Sequence, residues 1–463
     1  MRTVKRIPIP ALPNAGVPVE VEQYPRLNQA DYLARFERAK TMMDGLSHLV
    51  VYADREHFAN IEFFTGFDPR FEEALFILPK EGEATILVGN EGKDYAEAIL
   101  PPMRKVLYSP FSLPGQPRGQ VVTLQQLLSE AGLDASARVG LIGWKLFTAD
   151  DGLPAERTFD VPHFIFQALR ALVKEEHIVN ATSLMVGNQA GLRLSLDDKE
   201  LLLGEITGTL VSRSIHNVLA NLKEGMSELE ASEHFLMNGL PQTIHPNLNF
   251  GRQLSYAIAS PTPHNRLKAG DVVGLGMAYR RALCHKVGYF IGSAAEEPAG
   301  LAAFQDTYFR SVAAWYEAVK IGATGGSVYR AVEAVTGPLP QFGIGLNPGH
   351  LIHTDEWTNT PFTPGNEDSL RSGMMIQCDY SAYHPESGFV AHAEDGILLA
   401  DAPTRDRLRA ASPAAWSRIQ ARRDFMMNTL HIRLAEEVLP TSDMPGIVYP
   451  YLRNLGIVLA FEP

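Results

Sequence analysis

One order of elements occurs twice in the second part of this chain, and it constrains the fold more than any other feature. A helical run begins after Ser195, where Leu196-Asp197-Asp198-Lys199-Glu200 puts acids in the first turn, and it continues to about Asn221. A turn with Gly225 follows, and Ser227 with Glu230 has the spacing of a capping box that starts the next helix. The pattern returns as a helix from Phe304 to Lys320, a glycine-containing turn, Ser327 as the cap, and a second helix to about Val335. Strand-like runs follow each copy. A twofold internal repeat of this kind predicts two αβ halves that face each other, with the cleft between them as the place for a site.

With 463 residues the chain exceeds one ordinary core, so two domains are expected. Residues 1–27 are proline-rich and read as an extended arm, either lying across a partner subunit or disordered. Residues 28–185 alternate a helix at Asn28–Met43 with apolar runs at Leu49–Tyr52, Ala74–Leu78, Ala84–Val88 and Val139–Gly143, a small α/β domain. Residues 190–463 carry the repeat, and the whole chain is α/β (α+β) in class. An apolar content of 45% and a charged content of 20% are those of a soluble globular protein. The net charge of −12 argues against nucleic acid and anionic membrane as partners. The basic N-terminus is broken by Pro8 and Pro10 and has no apolar core, unlike a secretory signal. Cys284 and Cys378 are the only cysteines, which excludes a disulfide framework and points to the cytoplasm.

The chemistry concentrates between His350 and Glu394. Here His350, Asp379 and Glu394 each lie in or beside an apolar, strand-like run, where an acid is costly to bury unless a cation or a hydrogen-bond donor meets it. Imidazole titrates near neutrality and suits acid–base work, although a histidine bonded to backbone is the plainer reading of His350. His353, Asp355 and Glu356 form a polar knot just after it, either a second acid–base group or a solvated loop. His285 stands beside Cys284, and each cysteine reads more readily as a small buried hydrophobe than as a nucleophile. His392 is two residues before Glu394 and shares its face in a strand.

Several short motifs, taken in order, resemble the creatinase, aminopeptidase P and prolidase superfamily (M24), which has the pita-bread fold. They are Val51–Arg55 and Asn60–Phe67 in the first domain, and Lys268–Val273, Gly349-His350, Gly373–Ile376 and Glu394–Ile397 in the second. The resemblance implies five metal ligands for two ions. Three fall at His350, Asp379 and Glu394, and the other two fall at Gly276 and Val287, whose side chains cannot coordinate. That departure is similar to creatinase, which keeps the fold without metals and hydrolyses a C–N bond. The resemblance then implies a metal-independent hydrolase or lyase acting on a small polar, cationic substrate, with no cofactor. His350 would move protons with His264 or His285, and Glu394 and Asp379 would hold the cation or orient water. An ungapped alignment puts Ser260 at the place of creatinase's histidine and Tyr289 at that of its other carboxylate. His353, Glu356 and His392 would bind substrate. Arg70 and Phe71 would reach the partner's site in a homodimer, the plainer reading of Arg70 being a surface ion pair. The first alternative is a prolidase-like or Xaa-Pro aminopeptidase-like metallopeptidase with a rebuilt site, one transition metal being held by His285, His350, Asp379 and Glu394. The second is a non-catalytic binding module.

Overall fold

A computed structural model describes every residue except 1, 20–23, 120–121 and 257. The chain divides into two compact units, Arg26–Leu194, and Met1–Pro25 together with Ser195–Pro463. The expected arm therefore clusters with the unit that carries the repeat, and it contributes strand β1 (Val4–Pro8).

In the first unit, Asn28 caps a helix over Gln29–Met42 through its side chain, and Asp31 returns the bond to complete a capping box. The sheet contains β2 (His48–Ala53), β3 (Ala74–Pro79), β4 (Thr85–Val88), β5 (Arg104–Leu107), β6 (Val139–Ile142) and β7 (Ile178–Asn180), in the order β5-β4-β3-β2-β6-β7. Its central strands are apolar on both faces because both are covered. Leu49 and Val51 pack with Phe36 and Phe64 on one side, and Val50 and Tyr52 pack with Leu128 and Ile165 on the other. The stretch after Asn60 is a helix over Ala59–Thr65, ended by Gly66 at φ 71°, a left-handed turn that glycine adopts without strain.

The second unit is built on an eight-stranded sheet. Its strands are β8 (Gln242–Phe250), β9 (Val272–Tyr279), β10 (Ala282–Tyr289), β11 (His350–Leu351), β12 (Met375–Cys378), β13 (Ala382–Tyr383), β14 (Val390–Leu399) and β15 (Val438–Pro440). The order is β11-β12-β14-β10-β9-β8, with β13 and β15 also paired to β14. A last strand, β16 (Ile457–Phe461), pairs with β1 from Val4↔Phe461 to Pro8↔Ile457. Asn14 Nδ2 also donates to Asp443 and to the carbonyl of Arg418. This part of the arm is ordered on its own chain, because the β1 backbone completes its ladder there.

The repeat is visible bond by bond. Gly225 and Met226 exchange backbone bonds with Leu267, and Gly322 and Ala323 exchange the matching pair with Leu370. Ser227 bridges Arg266 just as Thr324 bridges Ser369. Each staple fixes the end of a long helix, Asp198–Asn221 or Leu301–Ala318, to the entry of a β-strand pair. Two caps differ from the sequence expectation. Asp197, not Ser195, caps the first long helix by accepting from Glu200 N–H, while Ser195 Oγ donates to the carbonyl of Ser372. Thr324, not Ser327, caps the Gly325–Thr336 helix. In both cases two candidate hydroxyl or carboxyl residues lay close together, and tertiary partners decided between them. Among the described residues, no helix is long and apolar enough to cross a membrane.

Candidate active site

Strand alternation and register put one set of side chains on one face of the large sheet. Directly paired residues share a face, as do residues two apart on a strand. One row runs Asn247, Gly276, His285, Glu394 across β8, β9, β10 and β14. The next runs Asn249, Gly274, Val287, His392. From the other edge, His350 pairs with Gln377, Gln377 pairs with Gly396, and Asp379 follows two residues after Gln377.

His350, Asp379 and Glu394 converge there, together with Glu356. His350 Nε2 lies 3.4 Å from Asp379 Oδ2, 3.5 Å from Glu394 Oε1 and 3.9 Å from Glu356 Oε1. One ligand atom from each of the four lies within 4.8 Å of the others. His350 and Glu394 are buried, Asp379 is 13% exposed at its side chain, and Glu356, at 32%, is the one that solvent reaches most. The imidazole is held from two sides. Its Nδ1 donates to the carbonyl of Leu351 at 3.2 Å, and its ring stacks on Trp357 with centroids 4.3 Å apart. With the hydrogen on Nδ1, a neutral His350 points the Nε2 lone pair at carboxylate oxygens. Neither Nε2 nor Glu394 Oε1 completes a hydrogen bond. His392 Nε2 donates to Asp379 Oδ1 at 2.8 Å and fixes that carboxylate from the far side.

The charges are strongly perturbed. Burial disfavours an imidazolium at His350, but its contacts with Asp379 and Glu394 override this and raise its pKa to about 10. Burial, reinforced by the charge of Asp379, pushes Glu394 well above the usual carboxylate range. Burial also opposes ionisation of Asp379, yet the His350 and His392 contacts pull it well below that range. His285 is held well below the usual imidazole pKa by burial and by the neighbouring His392, whose ring centroid is 4.5 Å away.

The donor set fits a divalent cation. One imidazole nitrogen and three carboxylates are hard or borderline ligands, and the acceptors face one another with nothing positive between them unless His350 is protonated. Where the sequence reading placed no metal, the structure gathers a ligand group, and it includes Glu356, which had been assigned to substrate.

The other candidates separate. His353 is buried with Nε2 2.8 Å from Glu200 Oε1, which Arg281 also meets, so it belongs to a buried ion-pair network and not to the four-residue group. His264 is exposed, on a loop held by Glu228 through Thr262 N–H and Asn265, and it makes no ion pair with the group. Arg70 and Phe71 are exposed in the first unit, and Arg70 pairs with Asp68 at 3.2 Å. Tyr289 is buried and accepts from Val390 N–H, a structural role. Both cysteines are buried thiols with pKa values pushed up by burial and by Asp395. The sequence reading missed Trp357 and the pair formed by Lys286 and Asp395, 2.6 Å apart on the opposite face of the sheet. Alternation puts each on the face opposite the site residue it follows, but it does not show that the two meet.

Residues 205–401 match the family model for metallopeptidase family M24. A search of curated proteins finds no match. Among solved structures, the chain resembles the recombinant prolidase from Thermococcus sibiricus with TM-score 0.62 at 16% identity, over 81% of this chain and 95% of that one. It resembles the prolidase from Pyrococcus horikoshii with TM-score 0.61 at 13% identity, over 79% and 95%. The Xaa-Pro dipeptidase from Bacillus anthracis gives TM-score 0.60 at 15% identity, over 79% and 94%. At these identities the likeness is one of fold: a small N-terminal α/β unit followed by a pita-bread unit.

Proposed function

From the match of residues 205–401 to the M24 family model, we propose that the chain is a prolidase-like hydrolase of a peptide-type C–N bond, working with one divalent cation. His350, Asp379 and Glu394 hold the cation, and Glu356 closes the set on the solvent side. One observation carries the reading. When His350 is neutral, the lone pair of its Nε2 and the oxygen Oε1 of Glu394 face each other at 3.5 Å, and neither atom has a hydrogen bond. Acceptors brought together in a buried place need a cation between them. The metal-independent, creatinase-like expectation thus gives way to its metallopeptidase alternative, which the names of the structural neighbours also favour.

A bound cation supplies Lewis-acid polarisation of the scissile carbonyl and a more acidic water. The protein supplies the rest. Trp357 keeps the His350 ring in its plane, and His392 keeps Asp379 turned inward. Glu356 takes the proton from the attacking water and returns it to the leaving nitrogen. Exclusion of water around His350 and Glu394 strengthens each of these charge contacts.

Metal analysis of protein purified without chelator tests this, followed by calorimetric titration of stripped protein with Mn²⁺ or Zn²⁺. Tight binding that restores hydrolysis of Xaa-Pro dipeptides is expected, and a protein that binds neither ion would refute the reading. The metal-independent reading keeps one observation in its favour. His350, with its pKa raised to about 10, is an imidazolium at neutral pH in the cation-free protein and offsets part of the acidic charge. Full hydrolytic activity after exhaustive chelation would establish that reading instead.

A further inference from the structure

The sheet face that carries the cation ligands is charged on one side only. Toward β8 it presents Asn247, Asn249, Gly274, Gly276, His285 and Val287, none of them acidic. The two glycines are not vacant space. A Cβ at Gly276 would stand 2.4 Å from His285 Cδ2, so the imidazole occupies the volume that a side chain there would need. A Cβ at Gly274 would stand 2.3 Å from Leu254 Cδ1. His285 is itself half-buried, yet its Nδ1 is shut from solvent with no hydrogen bond. Asn247 and Asn249 are buried, and the Oδ1 of each also lacks a partner. Three polar groups on one face thus lack a partner, and β8, β9 and β10 bring no carboxylate to them; the nearest, Glu394 opposite His285, already belongs to the four-residue group. A second cation would be lodged here among neutral amides and one imidazole, too little negative charge to hold a dication.

Resting on the reading just given, we propose that this half of the face is a neutral substrate subsite, so that the chain binds one cation and recognises an uncharged hydrogen-bonding group against His285 and Asn247. An N-acylated end fits, since its amide can both donate and accept. A free ammonium would lose its hydration against neutral partners.

Calorimetric titration of stripped, full-length protein with Mn²⁺ tests the first half. One ion per chain is expected, and two in a Gly276→Asp/His285→Ala double variant whose circular dichroism matches the parent. Two ions in the parent would overturn the proposal and leave the cation reading standing, whereas no binding would remove both. The second half is read on the Mn²⁺-loaded Glu356→Gln variant, in which hydrolysis is halted. N-acetylglycyl-proline is expected to bind about tenfold more tightly than glycyl-proline, roughly one well-made hydrogen bond, and His285→Ala should erase the difference. Preference for the free amine would overturn it.

Discussion

The two halves of the large sheet's active face have the same backbone plan and opposite chemistry. The β11–β12–β14 side gathers His350, Asp379, Glu394 and His392, while the β8–β9–β10 side offers glycine, amide and one imidazole at matching rows. Frame and function are therefore separable here. The staples at Gly225/Leu267 and Gly322/Leu370 repeat because helices and strands must dock the same way in each copy, and nothing in that docking fixes which side chains point into the cleft. Beneath the face the halves are tied by Lys286 of β10 and Asp395 of β14, both fully buried.

The largest effect should come from the acidic half. His350→Ala removes the only nitrogen ligand of the group, and Mn²⁺ affinity by calorimetry should drop by at least about a hundredfold, with hydrolysis lost. The same change at His285 should leave the ion in place, so equal losses would erase the distinction between the halves. Next comes the tie beneath them. Lys286→Met leaves the buried Asp395 without its cation, with Cys284 Sγ–H, Ser442 Oγ–H and Gly446 N–H as its remaining donors, and should cost about 3–5 kcal/mol in chemical denaturation.

His392→Ala frees Asp379 on one side without removing a member of the group, and about a tenfold loss of ion affinity is expected with little change in melting temperature. On the neutral side, Gly276→Ala forces the His285 ring aside and should destabilise by about 1–3 kcal/mol; His285→Ala in the same chain should recover most of it, a coupling that a double-mutant cycle measures.

A separate effect is a pH dependence of the stripped protein. His350 has a folded pKa raised to about 10, above the unfolded value. Its contribution is therefore complete below the unfolded pKa and lost as pH rises toward 10. The melting temperature of stripped protein should fall across that window, and should fall less in His350→Gln.

Much of this was legible in the sequence where interactions are local or strictly periodic. The Ser227–Glu230 capping box and the Asn28 helix start are read within four residues. The place of Glu394 and His392 on one face follows from alternation alone. Asp379 and Glu394 stood out because an acid in an apolar run must have a reason. The lean of His285 over Gly276 was not legible, for it depends on β9 and β10 pairing in one particular register. Nor was the Lys286–Asp395 pair, whose members are 109 residues apart. Glu356 was singled out but assigned to substrate, since only the folded loop shows its carboxylate beside His350.

The stacking of Trp357 on His350 has a practical side. The chain has only four tryptophans, and this one lies face to face with the imidazole proposed to hold the ion. Indole emission is quenched by a protonated or metal-bound ring at that distance, so the protein carries its own optical gauge of the site. Occupancy and ligand exchange become readable in a fluorimeter without a dye, and Trp357→Phe supplies the blank.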